Sequence, residues 1–235
     1  ISDLHLEADR PEIGEQFLAF LAGPAREADA LYILGDLFEA WVGDDDPDPY
    51  YAGMKTAIRE LADSGVPVYF MHGNRDFMIG AQVAAETGVE LLADPCPLEL
   101  YGENVLLSHG DALCTDDVEY QQVRAVTRNP EWQAMMMAKP LEERIAFARQ
   151  AREQSQARYA SIEEEITDVN QDAVEATIRE HGCDILLHGH THRPAVHPFH
   201  VDDRPVHRIV LGDWYEQGSM VEWDEDGPRL EGMPR

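Results

Sequence analysis

Short apolar runs rich in β-branched and aromatic residues recur along the chain, and each closes on glycine beside Asp, Asn or His. "ALYILGD" (30–36), "PVYFMHGNRD" (67–76), "NVLLSHGD" (104–111), "CDILLHGHTH" (183–192) and "RIVLGDW" (208–214) share this form. An apolar run of this length bounded by turn residues predicts a buried strand. Between several of the runs, apolar residues recur at helical spacing: "IGEQFLAFLAG" (13–23), "YAGMKTAIRELADSG" (51–65) and "VNQDAVEATIREHG" (169–182). These predict helices, the last two ending at glycine as helices prefer. Alternating strand and helix predicts an α/β fold with covered sheet faces. Residues 117–165 interrupt the rhythm with a long helical tract, expected to be a lid inserted in a single domain spanning 1–235.

In open α/β sheets, ligands bind outside the carboxyl ends of the strands. The polar tips are therefore expected to converge, joined by Asp3 and His5 of "SDLH", which are spaced to point the same way from an extended segment. The expected cluster is Asp3, His5, Asp36, Asn74, His109, His190 and His192. One Gly-Asp at a strand end is an ordinary turn, and one histidine is ordinarily a hydrogen-bonded side chain. Recurrence at several tips is different, because converging carboxylates without a cation repel one another. Imidazole, carboxylate and amide donors without thiolate suit Mn²⁺, Fe²⁺ or Zn²⁺ better than Ca²⁺ or a lone Mg²⁺. The donors are too many for one tetrahedral ion, so two ions sharing a carboxylate are expected.

Composition narrows the partners. With Asp+Glu 46 against Lys+Arg 18, the formal net charge is −28, a surface that repels a phosphate backbone and argues against nucleic acid. The acidic excess reads first as a highly solvated surface; within that reading, Lys55 and Lys139 being the only lysines fits the hypothesis of a salt-tolerant organism. On that hypothesis the thermal unfolding midpoint rises when KCl is raised from 0.05 to 2 M; a midpoint indifferent to salt removes it. Cys96, Cys114 and Cys183 are odd in number and form no CxxC pair, so neither a disulfide framework nor a thiolate metal site is expected, and a reducing cytoplasm fits. No apolar stretch is long enough to span a bilayer, and no signal peptide precedes "ISDLHL", where a few upstream strand residues are expected.

"DLH" (3–5), "GDLFE" (35–39), "GNRD" (73–76), "HGD" (109–111) and "GHTH" (189–192) resemble, in order and spacing, the signature blocks of the calcineurin-like metallophosphoesterases. "HGNRDFMIG", "LLSHGDALCTDD", "ITDVNQDAV" and "HGHTHRPAVH" tighten the resemblance to the UDP-2,3-diacylglucosamine hydrolase family. It implies a β-sandwich flanked by helices with a helical insertion, and two Mn²⁺ ions as cofactors. It also implies hydrolysis of the glycolipid nucleotide UDP-2,3-diacylglucosamine by attack on the α-phosphorus, in lipid A biosynthesis, and peripheral contact with the cytoplasmic face of the bacterial inner membrane. By the same resemblance Asp3, His5 and His192 hold one ion, Asn74, His109 and His190 the other, and Asp36 bridges. Asp36, Asn74, Arg75 and His109 would carry the catalysis. Asn74, Arg75, Asp117, Tyr120, Arg152, Ser155, His190 and Trp41 would contact substrate, whereas His188 is expected to be structural.

Where many of the superfamily have histidine in "GNHD", this chain has Arg75. Arginine stays protonated, so it cannot supply a proton to an alkoxide leaving group, though it can neutralise phosphoryl charge. Pyrophosphate cleavage is therefore favoured over monoester hydrolysis. A lysine frequent in the family is replaced by Ile162. In the lid, Trp132, Met135, Met136, Met137, Leu141, Ile145 and Phe147 are expected either to line an acyl groove or to pack on the core. Arg124, Arg128, Lys139, Arg144, Arg149, Arg152 and Arg158 form a basic island suited to anionic headgroups or a diphosphate. His197, His200 and His207 are expected in an exposed loop, and Asp44, Asp45 and Asp46 in a solvated one. Two other functions stay open: a broader nucleotide-sugar pyrophosphatase, and a binding scaffold without turnover.

Overall fold

The computed structural model describes residues 1–159 and 164–234. From the N-terminus, α1 (Pro11–Ala22) precedes β1 (Leu31–Ile33), α2 (Pro49–Asp63) precedes β2 (Val68–Met71), and α3 (Ala81–Thr87) precedes β3 (Glu90–Leu92). These three strands form a parallel sheet in the order β1-β2-β3. Helix α2 begins where the sequence permits it: Asp48 caps it by accepting the Tyr50 N–H at 2.8 Å, and Pro49 follows at the first turn.

A second sheet contains β4 (Cys96–Leu100), β5 (Glu103–Ser108), β6 (Ile185–His188), β7 (Ala195–Val201) and β8 (Arg204–Val210), ordered β4-β5-β6-β8-β7. Its central strands β5, β6 and β8 are parallel, with antiparallel edges. Helices α4 (Val118–Thr127), α5 (Pro130–Met137) and α6 (Leu141–Tyr159) enter between β5 and β6, followed by α7 (Gln171–His181); β9 (Gly218–Asp224) and β10 (Gly227–Met233) close the chain as a hairpin.

Strand periodicity sorts the apolar side chains into layers. Leu31 and Ile33 face α1 and α2 with Phe17 and Ile58, while Leu34 and Met71 face the second sheet, meeting Val105, Leu107, Ile185 and Leu187. On the far side of that sheet Leu106 and Leu186 pack under Val174 and Ile178 of α7. The result is two sheets face to face with helices on the outside, where the strand runs alone had suggested one covered sheet.

Local chemistry explains three differences from expectation. The insertion is three helices, because Asn129-Pro130 and Pro140 interrupt it, Asn129 capping α5 by accepting the Glu131 N–H at 2.8 Å. His197, His200 and His207 are exposed as expected, but on β7 and β8; β7 is an edge strand, so Pro198 removes no needed ladder bond. Asp44 accepts the Gly80 and Val83 N–H groups at the start of α3, and so serves as a cap within the acidic loop. Ile162 lies outside the described residues.

Candidate functional site

The carboxyl ends of β1, β2, β5 and β6 deliver Asp36, Asn74, His109 and His190 to one place, and the N-terminal segment runs alongside. Asp3 N donates to Gly35 O at 3.1 Å and His5 N to Asp36 O at 3.0 Å. The segment is not simply extended: Asp3, His5, Asp36, His190 and His192 have φ of 56, 53, 51, 67 and 56°. Left-handed backbone at that many non-glycine residues is strain concentrated at a site. Close approach needs glycine at Gly73 and Gly189, where a Cβ would collide with Asp36 and with Asp3 and Ser2 respectively.

Two donor groups result. Asp3, His5 and His192 each bring an atom within 4.8 Å of the others, and so do Asp36, His109 and His190. Asp36 lies between them, Oδ2 at 3.9 Å from His5 Nε2 and Oδ1 at 3.7 Å from His109 Nε2. Asn74 Oδ1 sits 3.0 Å from His109 Nε2 and 2.8 Å from His190 Nδ1, which joins it to the second group.

The arrangement fits cations. Asp3 is fully buried, and its Oδ1 accepts no hydrogen bond while facing His192 Nε2 at 3.3 Å. His5 Nε2 and His192 Nε2 point at each other across 3.2 Å. Outward nitrogens are held from behind, His109 Nδ1 on Leu34 O at 2.8 Å and His192 Nδ1 by Asp213 at 3.2 Å, and a Glu39 carboxylate oxygen lies 2.9 Å from His5 Nδ1. Donation from one ring nitrogen leaves the other as a lone pair, the arrangement a ligating histidine needs. Burial alone would lower the pKa of His109, but Asp36, Asp111 and Asp3 outweigh it and raise it to about 9. Burial is likewise outweighed at His192, by Asp213 and Asp3, giving about 10. The neighbouring carboxylates thus favour positive charge at His109 and His192, whereas burial and then His109 lower His190 to about 4.

His188 has a separate role. Its Nδ1 bonds Gly189 O at 2.8 Å, Arg208 Nη1 approaches Nε2 at 3.2 Å, and burial pushes its pKa down to about 3. A neutral ring therefore props the backbone of the turn that carries His190 and His192.

The calcineurin-like phosphoesterase profile matches residues 1–194. A UDP-2,3-diacylglucosamine hydrolase of Stenotrophomonas maltophilia is 54% identical, covering 100% of this chain and 98% of the relative. Proteins of the same name from Xanthomonas oryzae pv. oryzae and Aeromonas salmonicida are 53% and 50% identical, each over 98% of this chain and over 96% and 91% of the relative. The chain belongs to the UDP-2,3-diacylglucosamine hydrolase family. It is a hydrolase of the phosphoesterase class.

In this member of the UDP-2,3-diacylglucosamine hydrolase family, the donor groups open into a cavity of about 600 Å³ roofed by the lid. Arg75, Tyr120, Arg152, Ser155, His190 and Trp41 line it. Asp117 does not: it caps α4 through the Tyr120 N–H at 2.9 Å and pairs with Arg158 at 2.6 Å. Trp132, Met136 and Phe147 line the far end beside Phe77, with Phe77 and Trp132 centroids 6.2 Å apart and Trp132 and Phe147 5.9 Å apart. Met135, Met137 and Ile145 do not line it and are exposed elsewhere on the insertion. The basic island turns largely inward. Arg124 bonds Asp111 at 2.9 Å, Arg128 bonds Gly73 O at 3.0 Å, and the buried Arg144 forms a two-pronged pair with Asp45.

Several supporting residues carried no separate sequence signal. Asp76 accepts N–H groups of Gly73 at 2.8 Å and Leu37 at 2.7 Å, stitching two site loops; burial and then Asp36 push its pKa up to about 7. Asp111 accepts the Tyr120 hydroxyl at 2.6 Å and ties α4 to the His109 loop. Both, like Glu39, stand inside the quoted motifs, but a motif does not say which carboxylate turns toward an ion and which toward backbone or arginine. Asp213 and Tyr215, whose ring stacks on His5 at 5.4 Å, come from the end of β8.

Proposed function

We propose that the chain is a two-manganese pyrophosphohydrolase that cleaves UDP-2,3-diacylglucosamine to UMP and 2,3-diacylglucosamine 1-phosphate. The observation carrying this reading is a two-group nitrogen and oxygen donor site opening directly into a cavity with an aromatic far end. Asp3, His5 and His192 would hold one Mn²⁺ and Asn74, His109 and His190 the other, with Asp36 shared. When bound, such ions activate water and neutralise phosphoryl charge. The nitrogen and oxygen donor set supports Mn²⁺ among the transition ions.

The chain's own groups favour an anhydride substrate. The Arg75 guanidinium lines the cavity and can take up charge on non-bridging phosphoryl oxygens with a bidentate hydrogen bond. It has no proton to give to an alkoxide, so the departing group is one stable as an anion, a sugar phosphate. Tyr120 and Ser155 line the cavity from the helical insertion and offer polar groups to substrate, and Trp132 and Phe147 suit acyl chains. Peripheral membrane contact at the cytoplasmic face of the inner membrane belongs to the same reading. Val118, Val126, Met135, Met137 and Ile145 support it by exposing apolar surface on the helical insertion. No described helix is long and apolar enough to cross a membrane.

The test is UMP release from UDP-2,3-diacylglucosamine in mixed micelles, with Mn²⁺ or chelator, beside acyl-free UDP-N-acetylglucosamine. Manganese-dependent release from the acylated compound is expected. Equal rates on both would make the protein a broader nucleotide-sugar pyrophosphatase, and no release from either a binding scaffold. Phe147→Ala should raise KM for the acylated substrate about tenfold, equivalent to about 1.4 kcal/mol of apolar contact. An unchanged KM would assign Phe147 to packing.

A further inference from the structure

Glu39 lies at the meeting point of three parts of the molecule that are far apart in sequence. Its side chain is 3% exposed. Oε2 is 2.9 Å from His5 Nδ1 in the N-terminal segment, and Oε1 is 2.9 Å from Arg152 Nε on lid helix α6 and 3.6 Å from Arg75 Nη1 on the loop after β2. Its backbone N–H donates to Leu6 O at 3.1 Å, which anchors it beside the segment that carries Asp3 and His5.

We infer that Glu39 is a positioning residue that couples the Asp3–His5–His192 group to the lid, one carboxylate orienting His5 and holding the Arg75 and Arg152 guanidinia at the cavity. On the His5 side, a carboxylate at Nδ1 keeps the proton on that nitrogen and leaves Nε2 as a lone pair directed at His192 Nε2, 3.2 Å away. On the lid side, Glu39 shares Arg152 with Glu7, whose Oε2 is 3.2 Å from Arg152 Nη1. Two carboxylates on one guanidinium fix its direction more tightly than one.

A purely mechanical role for these contacts is less economical. The insertion has other fastenings to the body that bypass Glu39: Arg144 on Asp45 and the Val42 carbonyl, and Arg128 on the Gly73 carbonyl. Docking of the lid therefore does not depend on Glu39. Burial of a carboxylate is unfavourable unless opposite charge offsets it, and the groups within ion-pair distance here are a proposed metal ligand and two cavity arginines. The geometry gives Glu39 a use at the site that the remote lid pairs do not supply.

The inference rests on the two-metal reading, and the experiment separates the two. Full-length Glu39→Gln, Arg152→Gln and the double variant are loaded with Mn²⁺, checked for wild-type circular dichroism, and titrated with chelator; kcat and KM are measured in parallel. Glutamine has one acceptor oxygen where glutamate has two, so it cannot serve both His5 and the arginines. Glu39→Gln is expected to release Mn²⁺ at roughly 10- to 100-fold lower chelator, while Arg152→Gln retains it like wild type and raises KM alone. The double variant should then be no worse in KM than Glu39→Gln, because the second change removes an interaction already broken. Wild-type metal retention in folded Glu39→Gln, or fully additive KM effects, would overturn the positioning role. Wild-type protein that holds no Mn²⁺ would instead overturn the metal reading, and with it this inference.

Discussion

Asp36→Ala is expected to abolish turnover, by more than roughly 10,000-fold, the scale reached when the central member of a cooperative catalytic group is removed. The same variant is expected to lose both ions. Among the described residues Asp36 is the carboxylate that faces both groups, Oδ2 toward His5 and Oδ1 toward His109. Its Oδ1 also accepts the Arg75 backbone N–H at 2.8 Å, so the carboxylate is held in place before any ion arrives. Removing it takes a shared negative charge from between two clusters of imidazoles and leaves each group a donor short. Metal analysis on the gel-filtered variant beside the UMP assay reads both effects. Retention of two ions per chain with activity lost would show that Asp36 acts on the reaction without bridging. Asp36→Asn should fall close to Asp36→Ala, since the amide keeps the shape but not the charge.

Arg75→Ala has the second largest expected effect, and its signature is the reverse. Turnover should fall roughly 100- to 1,000-fold, as when one preorganised donor to a developing oxyanion is deleted, while metal content stays at the wild-type level. The structure explains the separation. What Arg75 contributes to Asp36 and its surroundings is its backbone: the N–H to Asp36, and the carbonyl that accepts the Trp41 N–H at 2.9 Å. Alanine preserves both. The guanidinium reaches into the cavity and can respond to substrate. Arg75→Lys should recover only part of the loss, because an ammonium is a point charge without the planar fork that grips two phosphoryl oxygens. If Arg75→Ala also loses metal, the assigned role is wrong and the side chain holds the site together.

Much of the site was legible in the one-dimensional pattern. Apolar runs ending in Gly and a polar residue place Asp36, Asn74, His109 and His190 at strand ends, and a sheet brings strand ends to one edge whatever lies between them. Asp3 and His5 joined them by parallel pairing with residues 35 and 36, so the expected seven donors did meet. A helical tract between two site-bearing strands was legible too, and its helices contribute residues to the cavity. Asp117 illustrates the limit. It is close in sequence to Tyr120, but that proximity serves a helix cap, and Arg158 completes its pairing.

The sequence by itself determined which chemistry would gather, because donor type and strand periodicity are local properties. It also determined the caps of α2 and α5 and the breaks in the helical insertion, which depend on Asn, Asp and Pro within a few residues. Only the tertiary structure decided which carboxylates face an ion and which serve the frame, as Asp3 and Asp36 do against Asp76 and Asp111. It decided, too, that the lid's arginines are turned inward on Asp45, Asp111 and Glu39, and that the strand runs divide into two facing sheets. Such choices depend on electrostatic and packing partners distant in sequence, and they exist only once the chain has folded.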